Sequence, residues 1–275
     1  MSTPVVYMLI LPLKKLRESC RIFWAYLQTP FFMWRLRRHT PVLVYQMGKV
    51  GSTSVYHALR RAYPGVVLHT HVLSSDHANP LIRRLYTWVV EQGNPLDVVS
   101  LIRVPMTKNV SGFFHNYERY TGMAYRKDAS LDALRSAFLE RYVHDNVLNW
   151  FDDHILRNFG LDVYAESFPE DGIATYRHGS VKLIVLRSEV DDRKKEQAID
   201  AFLGLRGLTL RNRNIGSRKY YSERYRDFIR DVRLPNDYVE RMASSKYFRH
   251  FYSVDEINAE VRRWCADSYS AKEAS

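Results

Sequence analysis

The sequence predicts a three-layer α/β fold, with a central and mostly parallel sheet flanked by helices. Three observations carry this. Short apolar, β-branched runs at 42–45, 65–71, 97–103 and 181–187 are spaced along the chain, and helical apolar spacing follows the first three, the alternation expected of a parallel sheet with covering helices. Between the first run and its helix lie Gly48, Gly51 and the hydroxyls Ser52, Thr53 and Ser54, a composition that suits a loop cradling phosphate. The 275 residues contain no Pro/Gly/Ser linker, repeat or low-complexity tract, which fits one sizeable domain over 41–268.

Forty-one Lys and Arg against 30 Asp and Glu leave a net charge of +11, which favours anionic partners such as nucleotides, sulfated products, nucleic acid or lipid head groups. No basic recognition helix or aromatic platform is recognisable, so nucleic acid is not expected as a partner. Cys20 and Cys265 lie far apart with no metal-type spacing, so neither a disulfide framework nor a zinc site is indicated. A reducing, cytoplasmic setting is expected, with no metal in the site.

Residues 1–40 form a basic and aromatic extension. Val5 to Leu13 is apolar, Lys14 to Arg21 carries four positive charges, and Ile22 to Trp34 is aromatic-rich before Arg35, Arg37 and Arg38. Neither apolar stretch reaches the roughly 18–20 residues of a membrane-spanning helix. A secretory signal would place charge before its apolar core and a small-residue cleavage site after it, and neither is present. Two readings are open: a peripheral contact with the inner face of a membrane, or a helix packed on the domain's own surface.

Val42 to Tyr45 reads as a buried strand, and Val55, Ala58 and Leu59 as the apolar face of the helix after it. Gly48 and Gly51 let main-chain N–H groups approach an anion, while Ser52, Thr53 and Ser54 add hydroxyls at the positive end of the helix. The nucleoside-triphosphate loop G-x-x-x-x-G-K-[ST] puts its lysine after the second glycine. Here Lys49 stands between the glycines. The order Lys49-Val50-Gly51-Ser52-Thr53 therefore keeps a P-loop-type setting but argues against an ordinary ATPase or kinase loop. The plain alternative is a Gly/Ser turn with a solvated lysine.

Gly65 to His71 reads as the second strand, bringing His69 and His71 to the carboxyl end of the sheet, where active groups gather. Helical spacing resumes through Leu81, Leu85, Trp88 and Val89. Asp97 to Pro105 reads as a third strand ending in Arg103, with a helix from Thr107 to Tyr117. Arg103 and Ser111, eight residues apart, can converge on one phosphate. The alternative is an arginine ion-paired at a strand end.

The segment Lys49-Val50-Gly51-Ser52-Thr53 after a first strand resembles the 5′-phosphosulfate loop of sulfotransferases, and Arg103-Val104-Pro105 with Ser111 resembles their 3′-phosphate site. Gln46 to Ser52, His69-Thr70-His71, Asn149-Trp150-Phe151 and Ser245 to Ser253 further resemble a bacterial, sulfotransferase-like family labelled for capsular polysaccharide synthesis, over residues 41 to about 266. The resemblance implies a sulfotransferase-like P-loop fold that binds PAPS (3′-phosphoadenosine 5′-phosphosulfate) and releases PAP. It implies Gly48 to Ser54 around the 5′-phosphate, with Lys49 stabilising the departing charge, and Arg103 and Ser111 on the 3′-phosphate. A late basic loop covers the nucleotide in such enzymes, and Arg213 and Lys219 are the candidates.

The acceptor would be a hydroxyl or amine of a carbohydrate or other small molecule. A base near neutral pH is required, with His71 first, His69 second, and His115 and His250 behind them. Tyr117, Tyr120 and Phe114 could line an acceptor cleft, though at helical spacing such residues are more often core. Two other readings stay open: a P-loop kinase or nucleotide hydrolase, and a non-catalytic polysaccharide-assembly factor.

In the remainder, Leu134, Phe138, Tyr142, Val147 and Trp150 form one helical core stripe over 131–159, and Asp162 to Ala165 reads as a short strand. Pro169 to Gly179 reads as a hairpin or turn region before the buried strand Val181 to Arg187, after which Glu189 suits an orienting role. Pro235-Asn-Asp opens a helix, Ser253-Val-Asp-Glu256 has capping-box spacing before the last helix, and 269–275 is a polar tail.

Overall fold

The computed structural model describes residues 29–211 and 219–265. Arg213, the segment 1–28 and the tail 269–275 lie outside the described residues. The sheet is built from β1 (Val42–Tyr45), β2 (Val67–Thr70), β3 (Leu96–Ile102), β4 (Ile173–His178) and β5 (Val181–Arg187), in the order β2-β1-β3-β5-β4. The first four in that order run parallel, with registers such as Val44↔His69, Val42↔Asp97 and Val99↔Ile184. Only β4 is antiparallel, joined to β5 through Gly179 and Ser180 as a hairpin.

Every residue of β1 and β3 is buried, so both faces of the sheet are covered, and the continuous apolar runs follow from that. The chain passes from β1 outward to the edge strand β2, then back across to β3. The sheet therefore changes direction between β1 and β3, and the loops leaving their carboxyl ends open onto one crevice, where ligands of such sheets bind.

The helices are α1 (Thr29–Arg38), α2 (Ser52–Ala62), α3 (80–91, ending in a π-helical stretch Thr87–Glu91), α4 (Pro105–His115) and α5 (Tyr117–Thr121), then α6 (Leu131–Arg141), α7 (146–159, π-helical over Phe151–Leu156), α8 (Asp192–Leu203), α9 (Ser222–Asp231), α10 (Asn236–Ala243), α11 (Lys246–Phe251) and α12 (Val254–Trp264). The single stripe expected over 131–159 spans two helices broken at Tyr142 to Asp145, yet all five of its apolar residues are buried. Tyr142 marks the break because its hydroxyl lies against Gly112 of α4, where any Cβ would collide with it. Asp162 to Ala165 is a turn and not a strand: the Asp162 carboxylate accepts from the Tyr164 N–H at 2.9 Å, a local bond that competes with extension.

The Ser253 capping box forms as the spacing predicts, and its Glu256 also meets the buried Arg187 at 3.0 Å, fastening α12 to the end of β5. Phe32 and Leu36 of α1 are buried against the domain, so this part of the N-terminal extension packs on the domain's own surface.

Candidate functional site

Gly51 is the N-cap of α2, with φ 86, a left-handed angle natural to glycine, and it offers α2 no side-chain cap. The first-turn N–H groups of α2 thus have no capping side chain at the place where a bound anion would sit. Lys49 is the one described non-glycine residue with positive φ, at 74. Such an angle in a residue with a Cβ is strained, and strain of this kind gathers at ligand clamps. The Arg103 guanidinium, leaving the end of β3, donates to the Lys49 carbonyl oxygen at 3.3 Å, so the two strand ends meet.

The charges around this crevice act on one another. Burial lowers the Lys49 ammonium to about 7, with a further push from Lys219. Burial and Arg103 lower Lys219. Burial, Lys49 and Lys219 together lower His115, at the end of α4. No carboxylate among the described residues lies within ion-pair distance of Lys49, Arg103 or Lys219. A cleft of about 450 Å³ runs beside them, lined by Val50, Gly51, Arg103, Thr107 and Glu189 among others. That is room for a small ligand.

The histidines divide by environment. His71 lies just past β2, exposed, with Nδ1 2.7 Å from the Gln46 carbonyl oxygen. A carbonyl can only accept, so Nδ1 carries the hydrogen and Nε2 is left as an acceptor on the Gly48 side. His69 is half-buried, its Nε2 3.0 Å from the Gln46 carboxamide nitrogen and 3.1 Å from Ser52 Oγ, and burial takes its pKa down to about 4. It is a neutral acceptor that holds the loop. The rings of His69 and His71 are 5.2 Å apart, as two residues on the same side of a strand should be.

Ser52 is buried against His69, and Thr53 and Ser54 occupy the first turn of α2. Ser111 is half-buried in the second turn of α4, and no hydrogen bond among the described residues ties it to Arg103. Lys219 has its ammonium 5.7 Å from the Tyr221 ring centroid. His250 packs against Tyr164 and Phe251, in a different cluster from Lys49. Phe114 and Tyr117 are core residues, and Tyr120 stacks edge-on to Tyr142 at 4.8 Å, so these aromatics fill the space between helices.

Four more residues support the site, and of these sequence reasoning gave a role to Glu189 alone. Tyr247, fully buried on α11, clamps the turn that carries Arg103: its hydroxyl donates to the Arg103 carbonyl at 2.9 Å and accepts from the Arg103 N–H at 3.2 Å. Glu189 accepts from the next N–H, that of Val104, and from the Tyr252 hydroxyl, which is the orienting role its position suggests. Gln46, fully buried, links both histidines and leaves its Oε1 with no partner among the described residues. Lys108, 5% exposed on α4, has its ammonium 3.4 Å from the Asn109 carboxamide oxygen and is lowered to about 8 by burial. Burial lowers His71, and the charges of Lys49 and Lys108 add to that lowering. Lys108 falls in line with Val104 and Gly112 at helical spacing, a lysine on an apolar stripe, and that signal is readable in the sequence.

Residues 126–253, a little under half of the chain, match a family model described as "Putative capsular polysaccharide synthesis protein". The matched stretch holds Asn149 to Phe151, Glu189, Lys219 and all of Ser245 to Ser253, Tyr247 included. It stops short of the 41–266 expected, because the Lys49 loop, His69, His71, Arg103 and Ser111 all precede it. No curated protein and no solved structure matches the chain.

Proposed function

We propose that the crevice between the β1 and β3 loops binds a doubly phosphorylated adenosine nucleotide, and that the protein transfers a sulfuryl group from PAPS to a hydroxyl or amine of a carbohydrate. The observation that carries this is the closeness of Lys49, Arg103 and Lys219 at the strand ends, with no carboxylate of the described residues in ion-pair distance of them; Glu189 and Glu260 line the adjoining cleft, which Arg103 enters. Like charges held this close, with burial and Lys219 lowering Lys49 and burial and Arg103 lowering Lys219, are costly in the empty protein and are relieved by a multivalent anion. Two strand ends in contact suit a ligand with a phosphate at each end, and the lysine position fits such a nucleotide better than ATP. The family model's description supports the carbohydrate acceptor.

In this reading Gly51, Ser52, Thr53 and Ser54 hold the 5′-phosphate at the start of α2. Arg103 and Ser111 hold the 3′-phosphate, and Lys219 with the basic loop before it, including Arg213, covers the nucleotide. His71 Nε2 takes the proton of the acceptor as its oxygen or nitrogen bonds to sulfur. Lys49 meets the negative charge that develops as the bond from sulfur to the nucleotide phosphate breaks. Positioning and charge do most of the work.

Calorimetric titration with PAP, ADP and ATP with magnesium ions tests the reading. PAP is expected to bind most tightly, and Arg103→Ala to remove most of that preference. Preference for ATP with magnesium would replace this reading with a kinase or hydrolase. Binding of none of the three, with normal function in cells carrying Lys49→Ala, would favour a non-catalytic assembly factor.

A further inference from the structure

We propose that the outer face of α1 docks on an anionic lipid bilayer. The inner face is settled: Phe32 and Leu36 are buried, and Arg35 donates to the Pro64 and Gly65 carbonyls at 2.6 and 2.7 Å, pinning the helix beside the start of β2. The opposite face carries Phe31, Trp34, Arg37 and Arg38 at helical spacing, all exposed. Phe31 is 61% exposed and Trp34 49%, with their rings stacked at 5.6 Å, and the Arg38 guanidinium lies 4.4 Å from the Trp34 centroid.

Two large aromatics held together in water, with two arginines one turn further on, match a lipid surface in both of its layers. Aromatic rings settle at the head-group level, and guanidinium groups meet the phosphates there. No carboxylate among the described residues of α1 offsets the arginines. In sequence, the stretch before α1 carries Lys14, Lys15, Arg17 and Arg21 against one acid between them, Glu18.

The placement matters for the cleft. α1 leads into the amino end of β1, whereas Lys49 and Arg103 stand at the carboxyl ends of β1 and β3. A bilayer held at α1 is therefore at the far end of β1 from the crevice, which stays open to water and to a dissolved acceptor.

Co-sedimentation of the full-length protein with vesicles tests this, comparing phosphatidylcholine alone with phosphatidylcholine mixed with phosphatidylglycerol. Binding is expected only to the anionic vesicles and is expected to weaken with added salt. Arg37→Gln with Arg38→Gln should reduce it about 30-fold, on the order of 1 kcal/mol per arginine. Phe31→Ser with Trp34→Ser should reduce it roughly tenfold or more. Since all four side chains are exposed, the thermal midpoint should not change, which separates lost docking from lost folding. Absence of binding to anionic vesicles, equal binding to both vesicle types, or binding that survives both pairs of substitutions would each overturn the proposal.

Discussion

Lys49 is the residue where backbone geometry and charge conflict with stability. Its φ of 74 costs roughly 1–2 kcal/mol for a residue with a Cβ, and its half-buried ammonium stands against Lys219. Lys49→Gly relieves both, so it is expected to raise stability by about 1 kcal/mol over Lys49→Ala, which keeps the backbone strain, while both variants lose anion binding. Urea midpoints of the two variants check this, and equal midpoints would show that the left-handed angle carries no cost. The same lysine sets a pH dependence. With the free-state pKa lowered to about 7, the ammonium is already half deprotonated at neutral pH, and a bound anion favours its protonated form. Binding above that pH must therefore take up a proton. PAP affinity is expected to fall as pH rises from 7 to 9, by up to about tenfold per pH unit, and Lys49→Arg, which stays protonated, should flatten the profile.

The strand-end turn after β3 is held by elements distant in sequence. Tyr247 of α11 bonds both backbone groups of Arg103, and Glu189, after β5, takes the next N–H. Tyr247→Phe keeps the ring in its packed place and deletes only the hydroxyl, leaving the half-buried Arg103 carbonyl and N–H without that partner. The expected cost is about 1–3 kcal/mol of stability, together with weaker PAP binding, because the guanidinium loses its fixed origin. Nucleotide affinity unchanged in Tyr247→Phe would mean that the turn is held well enough by Glu189 alone. This element level is also where sequence reading reaches furthest and then stops. β1, β3 and β5 are legible because burial on both faces forces continuous apolar runs, and the capping box at Ser253 because its spacing is local. The break between α6 and α7 is hidden because Tyr142 is apolar in pattern and acts through a contact with Gly112, which is remote in sequence. Asp162 to Ala165 misleads because Val163 and Tyr164 favour strands while the Asp162 carboxylate ties off a turn.

At the scale of the molecule, the loop residues of the crevice are legible because glycines, hydroxyls and a misplaced lysine leave a local signature. Their supports are less so: Gln46 and Tyr247 fall inside stretches that carry the family resemblance, but their bonds to the histidines and to Arg103 emerge only once the chain is folded. The family match covers the half of the chain that holds several of these supports, Glu189 and Tyr247 among them, while the Lys49 loop and Arg103 lie before it. One consequence concerns assembly of the chain in time. β3 pairs along its full length with β5, and these strands are separated by everything from α4 to the β4–β5 hairpin. Loop-closure entropy makes that pairing slow, whereas the hairpin can zip up locally. A ribosome-bound chain that has exposed Arg103 must still wait for β5, then α11, before the arginine is gripped. The crevice between the β1 and β3 loops is thus among the last features to mature, and a ligand that fits it can bind only chains that have completed nearly all of their folding.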